Sequence, residues 1–194
     1  MLPIVLASSS PYRRQLIEKL GVSFSTASPY IDESPQTDES PADLAKRLSE
    51  NKAKALASDY PNHLIIGSDQ VAELHGKPLG KPGNHQAATT QLQSASGHIL
   101  HFHTGLALFN SQTGTLQYAN STYTVKFRSL SDSQIESYLS REKPYDCAGS
   151  FKSEGLGIAL FEYIRGDDPN SLIGLPLIEL TRILLNEGID VLGN

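Results

Sequence analysis

The sequence has one cysteine, Cys147, one methionine and no tryptophan among its 194 residues. A single thiol cannot build a disulfide framework, so the fold must rest on a packed core, and a reducing cytoplasm fits. No apolar run is long enough to cross a bilayer. The opening stretch Met1–Leu6 lacks a basic region and its apolar part is short, so no signal peptide is expected. Positive charge is in the minority: 16 Lys and Arg against 21 Asp and Glu leave a formal net charge of −5. That balance argues against a general DNA or RNA binder. It leaves room for a small anionic ligand, because a few clustered cations set the local field.

Several familiar signatures are also missing. There is no GxxxxGK[ST] phosphate loop, and Gly155-Leu156-Gly157 lacks the third glycine and the strand–helix context of a dinucleotide fingerprint. His98, His101 and His103 alternate on a strand pattern. Only His101 and His103 share a face, and no further ligand completes a zinc set. Cys147 has no histidine near it in sequence and reads as packing rather than as a nucleophile. No internal repeat or low-complexity linker appears.

What is present starts with Leu6-Ala7-Ser8-Ser9-Ser10-Pro11-Tyr12-Arg13-Arg14. The apolar residues 4–7 read as a strand and 11–20 as a helix, with serine at the cap and proline in the first turn. Hydroxyls, helix N–H groups and two guanidinium forks then converge on an anion site, the alternative being an ordinary cap with solvated arginines. Residues 22–27 alternate like a second strand. Pro29 to Pro41 is an acidic, proline-rich connection carrying Asp32, Glu33, Asp38 and Glu39, too long for a simple turn.

A helix is expected from Pro41 to about Tyr60, and a buried strand over Leu64-Ile65-Ile66. That strand is expected to end in Gly67-Ser68-Asp69-Gln70, with Val71 to Leu74 continuing extended. Asp69 at such a strand end suits a metal ligand or a holder of attacking water, or a turn aspartate capping local N–H groups. Residues 84–95 read as a helix, and 98–109 as a strand interrupted at Gly105. Ser111 to Gly114 reads as a hairpin turn into 116–127. A helix capped by Ser131 follows over 131–139, then a strand near 158–164, a loop at 167–170 and a last helix over 176–185. The order mixes helices and strands with a hairpin, which predicts an α/β fold with a mixed sheet flanked by helices.

Taken together, these pieces resemble the Maf family of nucleoside triphosphate pyrophosphatases. The resemblance rests on Ser8-Ser9-Ser10-Pro11-Tyr12-Arg13-Arg14, Asp32-Glu33, Lys52-Ala53, Gly67-Ser68-Asp69, Gly80-Lys81-Pro82, Ala148-Gly149-Ser150-Phe151 and Gly174-Leu175-Pro176, in that order along almost the whole chain. It implies an elongated mixed sheet of the Maf and inosine-triphosphatase type, with residues 1–194 as one domain of two lobes around a central cleft. It implies water attack on the α-phosphorus of a nucleoside triphosphate with release of pyrophosphate. A divalent metal, Mg or Mn, is expected, and family members often form dimers.

On that resemblance Asp69 matches the proton acceptor. Ser8, Arg13, Lys52 and Lys81 match phosphate-binding positions, and Glu33 with Asp69 the metal site. Tyr12, Gln70 and Glu154 stand where the pyrimidine-type branch has arginine, threonine and glutamine. They resemble instead the branch acting on 7-methyl-GTP, which more usually has tryptophan at the first of these positions. A cationic methylated base is drawn to an aromatic face, and a carboxylate accepts from the two adjacent donors of guanine. Gln70 is expected to donate to the guanine carbonyl or to ribose. The competing expectations are the same reaction on UTP, dTTP or another modified nucleotide, and a nucleotide-binding regulator of cell division without turnover. Neither a nucleic-acid nor a membrane partner is expected.

Overall fold

The computed structural model describes residues 2–193. Its frame is a seven-stranded sheet in the order β2-β1-β3-β5-β6-β7, with β4 added at β3. The strands are β1 (Ile4–Ala7), β2 (Phe24–Ala27), β3 (Leu64–Leu74), β4 (Lys77–Leu79), β5 (Ile99–Asn110), β6 (Thr115–Phe127) and β7 (Phe161–Arg165). The helices are α1 (Pro11–Glu18), α2 (Pro41–Ala55), α3 (His85–Ala95), α4 (Asp132–Glu142), α5 (Pro169–Ile173) and α6 (Leu177–Asn186). β1 runs parallel to β2 and β3, and the rest of the sheet is antiparallel. The mixed α/β architecture expected from the sequence is what forms.

Local chemistry sets the helix starts. Ser10, Ser40, Asn84 and Ser131 each accept a backbone N–H three residues on, satisfying a donor that the first turn leaves free. Ser131 and Gln134 complete a reciprocal capping box.

The alternation of β3 sends its residues to two faces. Ile65 and Val71 pack on the α2 side with Ala53, Leu56, Leu44 and Leu48. Leu64 and Ile66 pack on the other face with α1 and α6 through Leu16, Ile17, Leu180 and Leu184. Further along that second face, Ala72 and Leu74 join a separate cluster with α3 and α4 through Leu92, Ile135 and Leu139.

Two sequence expectations fail in an instructive way. β3 does not end at Gly67; it runs unbroken through Ser68, Asp69 and Gln70 because β5 pairs with it across this whole stretch, Asp69 facing Gly105. The strand that ends is β1, whose pairing with β3 covers only Leu64–Ile66. β4 covers only Ala72–Leu74. Between them one edge of β3 has no neighbouring strand among the described residues, and Asp69 and Gln70 lie in that gap. Nor is Gly105 an interruption of β5. A Cβ there would stand 2.5 Å from the Ala45 carbonyl oxygen of α2, and one at Gly67 would strike the Ser49 carbonyl oxygen. The two glycines let α2 lie directly on the sheet.

Gly105→Ala is therefore expected to push α2 outward. Overpacking of this kind costs about 1–3 kcal/mol, a Tm drop of roughly 3–10 °C for a chain of this size. A thermal melt checks it, and an unchanged Tm would mean that α2 yields without cost.

The shorter elements also differ. Residues 156–160 form a 3-10 turn, and β7 begins only at Phe161. The expected loop at 167–170 contains the start of α5, capped by Asp168.

Candidate active site

The gap beside β3 opens into a cavity of about 750 Å³. Its walls include Ser8 to Arg13 after β1, Glu33 on the acidic connection, Lys52 on α2, and Asp69 and Gln70 on β3. Lys81, Asp146, Glu154 and Gly174 complete the candidate set.

Lys52 is at the centre. Close seating of α2 places its ammonium 2.6 Å from Asp69 Oδ1 and 2.8 Å from Glu33 Oε1. Lys52 and Asp69 are 6% and 8% exposed, whereas the Glu33 side chain is 58% exposed. A buried ammonium needs a partner at this depth, and Asp69 is that partner. Burial works to raise the Glu33 carboxyl, but the Lys52 hydrogen bond, with the charges of Lys52, Lys81 and Arg13, outweighs it and holds Glu33 below the usual carboxylate range. The reading of Asp69 as a turn cap is thereby set aside, since its Oδ1 serves Lys52.

Arg13 and Arg14 part company. Arg13 enters the cavity, its Nε donating to the Gly174 carbonyl at 2.8 Å. That bond fixes the guanidinium and leaves its terminal nitrogens for an anion. Burial pulls the Arg13 group below its ordinary value, opposed by the nearby Asp69 and Glu33. Arg14 points outward and pairs with Glu18 at 3.1 Å. Ser8 is buried, its Oγ accepting the Ser10 N–H at 3.1 Å, and its own proton remains available to a ligand. Lys81 is exposed and touches the site through its charge on Glu33.

The acidic connection divides its labour. Asp32, adjacent to Glu33, caps its own loop by accepting the Ser34 N–H at 2.9 Å. Glu39 is gripped by Arg47 of α2 through two bonds of 2.6 and 2.8 Å, and Arg47 also donates to the Ser34 carbonyl. This clip holds the loop that presents Glu33. Arg47 hydrogen bonding draws the Glu39 carboxyl down to about 2. A lowered carboxyl contributes stability that is complete above its unfolded value near 4.5 and is lost as pH falls toward 2. Glu39→Gln should therefore melt below wild type at neutral pH, with the two curves converging between pH 4.5 and 2. A constant gap through that window would deny Glu39 this role.

Gln70 corrects a sequence expectation. Its amide nitrogen donates to the Ser171 carbonyl at 2.8 Å, the Leu172 carbonyl at 3.1 Å and Thr104 Oγ1 at 3.1 Å. Thr104 spends its own proton on the Ser171 carbonyl, so it can only accept. The Gln70 donors are thus committed to the protein, and the group left for a ligand is its carbonyl oxygen. Asp168 and Ser68, which the sequence reading passed over, support the same wall. Asp168 takes N–H groups from Asn170 and Ile178, and the single Ser68 hydroxyl proton lies between the Gly105 carbonyl at 2.8 Å and the Gly174 carbonyl beside Arg13 at 3.0 Å. Asp168-Pro169 is a local helix-start signal, whereas the Ser68 contact to Gly174 spans 106 positions and has none.

Tyr12 stands in the cavity with its hydroxyl 3.4 Å from Asp146 Oδ2. Glu154 is exposed at the cavity wall. Burial pushes the adjacent Cys147 thiol up to about 12, with the Asp146 charge adding to it, so it stays protonated and a poor nucleophile. His103 and His101 lie elsewhere, His103 against Glu73 at 2.7 Å. No helix among the described residues is long and apolar enough to cross a membrane.

Glu33 and Asp69 each turn a carboxylate oxygen toward the Lys52 ammonium. Such a pair fits magnesium or manganese, which take one or two carboxylates and fill the remaining positions with water and phosphate oxygens.

The chain is 55% identical over 192 residues to the 7-methyl-GTP pyrophosphatase of Methylobacillus flagellatus, an alignment covering 99% of this chain and all of that relative. The family model described as Maf-like protein matches residues 3–187, from the residue before β1 to the residue after α6. With both matches spanning nearly every element that lines the cavity, the chain belongs to the Maf family.

Proposed function

We propose that the protein is a nucleotide pyrophosphatase that hydrolyses 7-methyl-GTP to 7-methyl-GMP and pyrophosphate in the cytoplasm. We read the chain as one domain whose two lobes share the cleft. The observation that carries the reading is the placement of Lys52 between Glu33 and Asp69, with Arg13 in the same cavity as Tyr12 and Glu154. The relative's activity supports it.

In this reading Ser8, Arg13, Lys52 and Lys81 take the triphosphate. Their charge offsets the anionic phosphates that would otherwise repel a nucleophile. Asp69 accepts the proton of the attacking water through the oxygen not committed to Lys52. The α-phosphorus gains the water oxygen, and the bond to the β-phosphate oxygen breaks. Pyrophosphate leaves against Lys52 and Lys81. A divalent metal held by Glu33 and Asp69 would supply further charge neutralisation. Tyr12 offers its ring to the cationic base, Glu154 accepts the guanine N1–H and amine, and the Gln70 carbonyl oxygen is a second acceptor.

Pyrophosphate release from 7-methyl-GTP, GTP, UTP and dTTP, in magnesium and then manganese, tests the proposal. Preference for 7-methyl-GTP is expected. Preference for UTP or dTTP overturns the base reading, and binding without release from any nucleotide overturns the enzyme reading. Glu154→Gln should lower the preference for 7-methyl-GTP over UTP by about tenfold, the scale of one charged hydrogen bond. Equal relative rates in the two proteins would remove Glu154 from base selection.

A further inference from the structure

The cavity side chains fall into two groups by contact. Arg13, Glu33, Lys52, Asp69 and Lys81 act on one another through charge and hydrogen bonds. Tyr12, Asp146 and Cys147 form a second group, with Lys152 beside Tyr12 outside the cavity lining. Within it, Asp146 comes from a loop 134 positions away from Tyr12, yet its Oδ2 lies 3.4 Å from the Tyr12 hydroxyl. Both residues line the cavity.

We infer that Asp146 is a specificity-determining residue that reads the positive charge of an N7-methylated base stacked on Tyr12. This rests on the 7-methyl-GTP reading above. A phenol hydroxyl lies in the plane of its ring, so the carboxylate it holds stands at the ring's edge. The ring faces take no part in that bond. A base on one face would then carry its perimeter past the carboxylate. The unmethylated guanine ring is neutral and gains little from this, whereas the methylated ring is cationic and gains from both the ring quadrupole and the carboxylate.

Asp146 is free to act this way. It is exposed and belongs to none of the ion pairs among the described residues. Lys152 stands beside the same phenol and subtracts part of the field. An exposed charge acts weakly until a ligand covers it, which sets the expected effect at several-fold.

Asp146→Asn is the test. The amide keeps an acceptor for the Tyr12 hydroxyl and removes only the charge. We expect kcat/KM for 7-methyl-GTP to fall about five- to tenfold more than that for GTP. The ratio of 7-methyl-GMP to GMP affinity should fall alongside it. Tyr12→Phe, which keeps the ring and releases the carboxylate, should lower both ratios in the same direction by less. A ratio equal to that of wild type, or equal losses on both substrates, overturns the inference and leaves the 7-methyl-GTP reading standing. A wild-type protein with no preference for 7-methyl-GTP over GTP overturns that reading and this inference together.

Discussion

Asp69→Asn should lower kcat by about 10²–10⁴-fold, the usual contribution of a positioned general base, while nucleotide affinity stays equal or improves slightly. The choice of asparagine matters. Lys52 has a side chain only 7% exposed and is bound at 2.6 Å to Asp69 Oδ1. Alanine would strip that acceptor and leave a buried ammonium to Glu33 alone, confusing chemistry with stability. Asparagine keeps an oxygen for Lys52 and removes the proton acceptor. It also removes a negative charge that opposes the incoming triphosphate, which is why affinity should not fall. Pyrophosphate release gives kcat, and titration with a non-hydrolysable α,β-imido analogue gives affinity. A kcat within tenfold of wild type would exclude Asp69 as the base, and a collapse of affinity would make it a binding group instead.

Why Asp69 could be singled out from sequence, but not correctly placed, has a physical cause. Three aliphatics followed by Gly67-Ser68-Asp69-Gln70 look like a buried strand running into a turn. Small polar residues are turn formers unless a neighbour takes their backbone groups, and here β5 does so throughout. The neighbour is some forty positions away and has no local signature. Gly105 misleads for the same reason: a glycine within a strand pattern reads as a break, whereas its use is to admit the backbone of α2.

Features that depend on adjacent residues were legible. The Ser10, Ser40 and Ser131 caps, the β1–α1 step and the mixed character of the sheet all follow from local pattern. Features that depend on where side chains spend their hydrogen bonds were not. Gln70 reads as a donor until Ser171, Leu172 and Thr104 are seen to absorb its protons. Local pattern does not separate Asp32 from Glu33, which only the family resemblance singles out, and only Glu33 reaches Lys52.

Lys52→Met should produce the second large loss, at least about 10²-fold in kcat/KM, because in the proposed mechanism the side chain that bridges the two carboxylates also takes the phosphates. The cost to folding will be smaller than the roughly 3–5 kcal/mol of a fully buried broken pair. Only Asp69 is buried; Glu33 is 58% exposed and can turn to water. The informative consequence concerns cations. In the wild-type protein the ammonium occupies the point on which Glu33 and Asp69 converge, so a divalent ion must compete with it. Methionine has a similar length without the charge, and the two carboxylates then lack a counterion. Magnesium or manganese should therefore raise the Tm of Lys52→Met more than that of wild type when no nucleotide is present. Equal shifts in the two proteins would mean that Glu33 and Asp69 are not the groups that hold the ion. A larger shift in the variant, abolished by adding Glu33→Gln, would tie the cation to this pair. It would also identify Lys52 as the charge that keeps the carboxylates together until a triphosphate arrives.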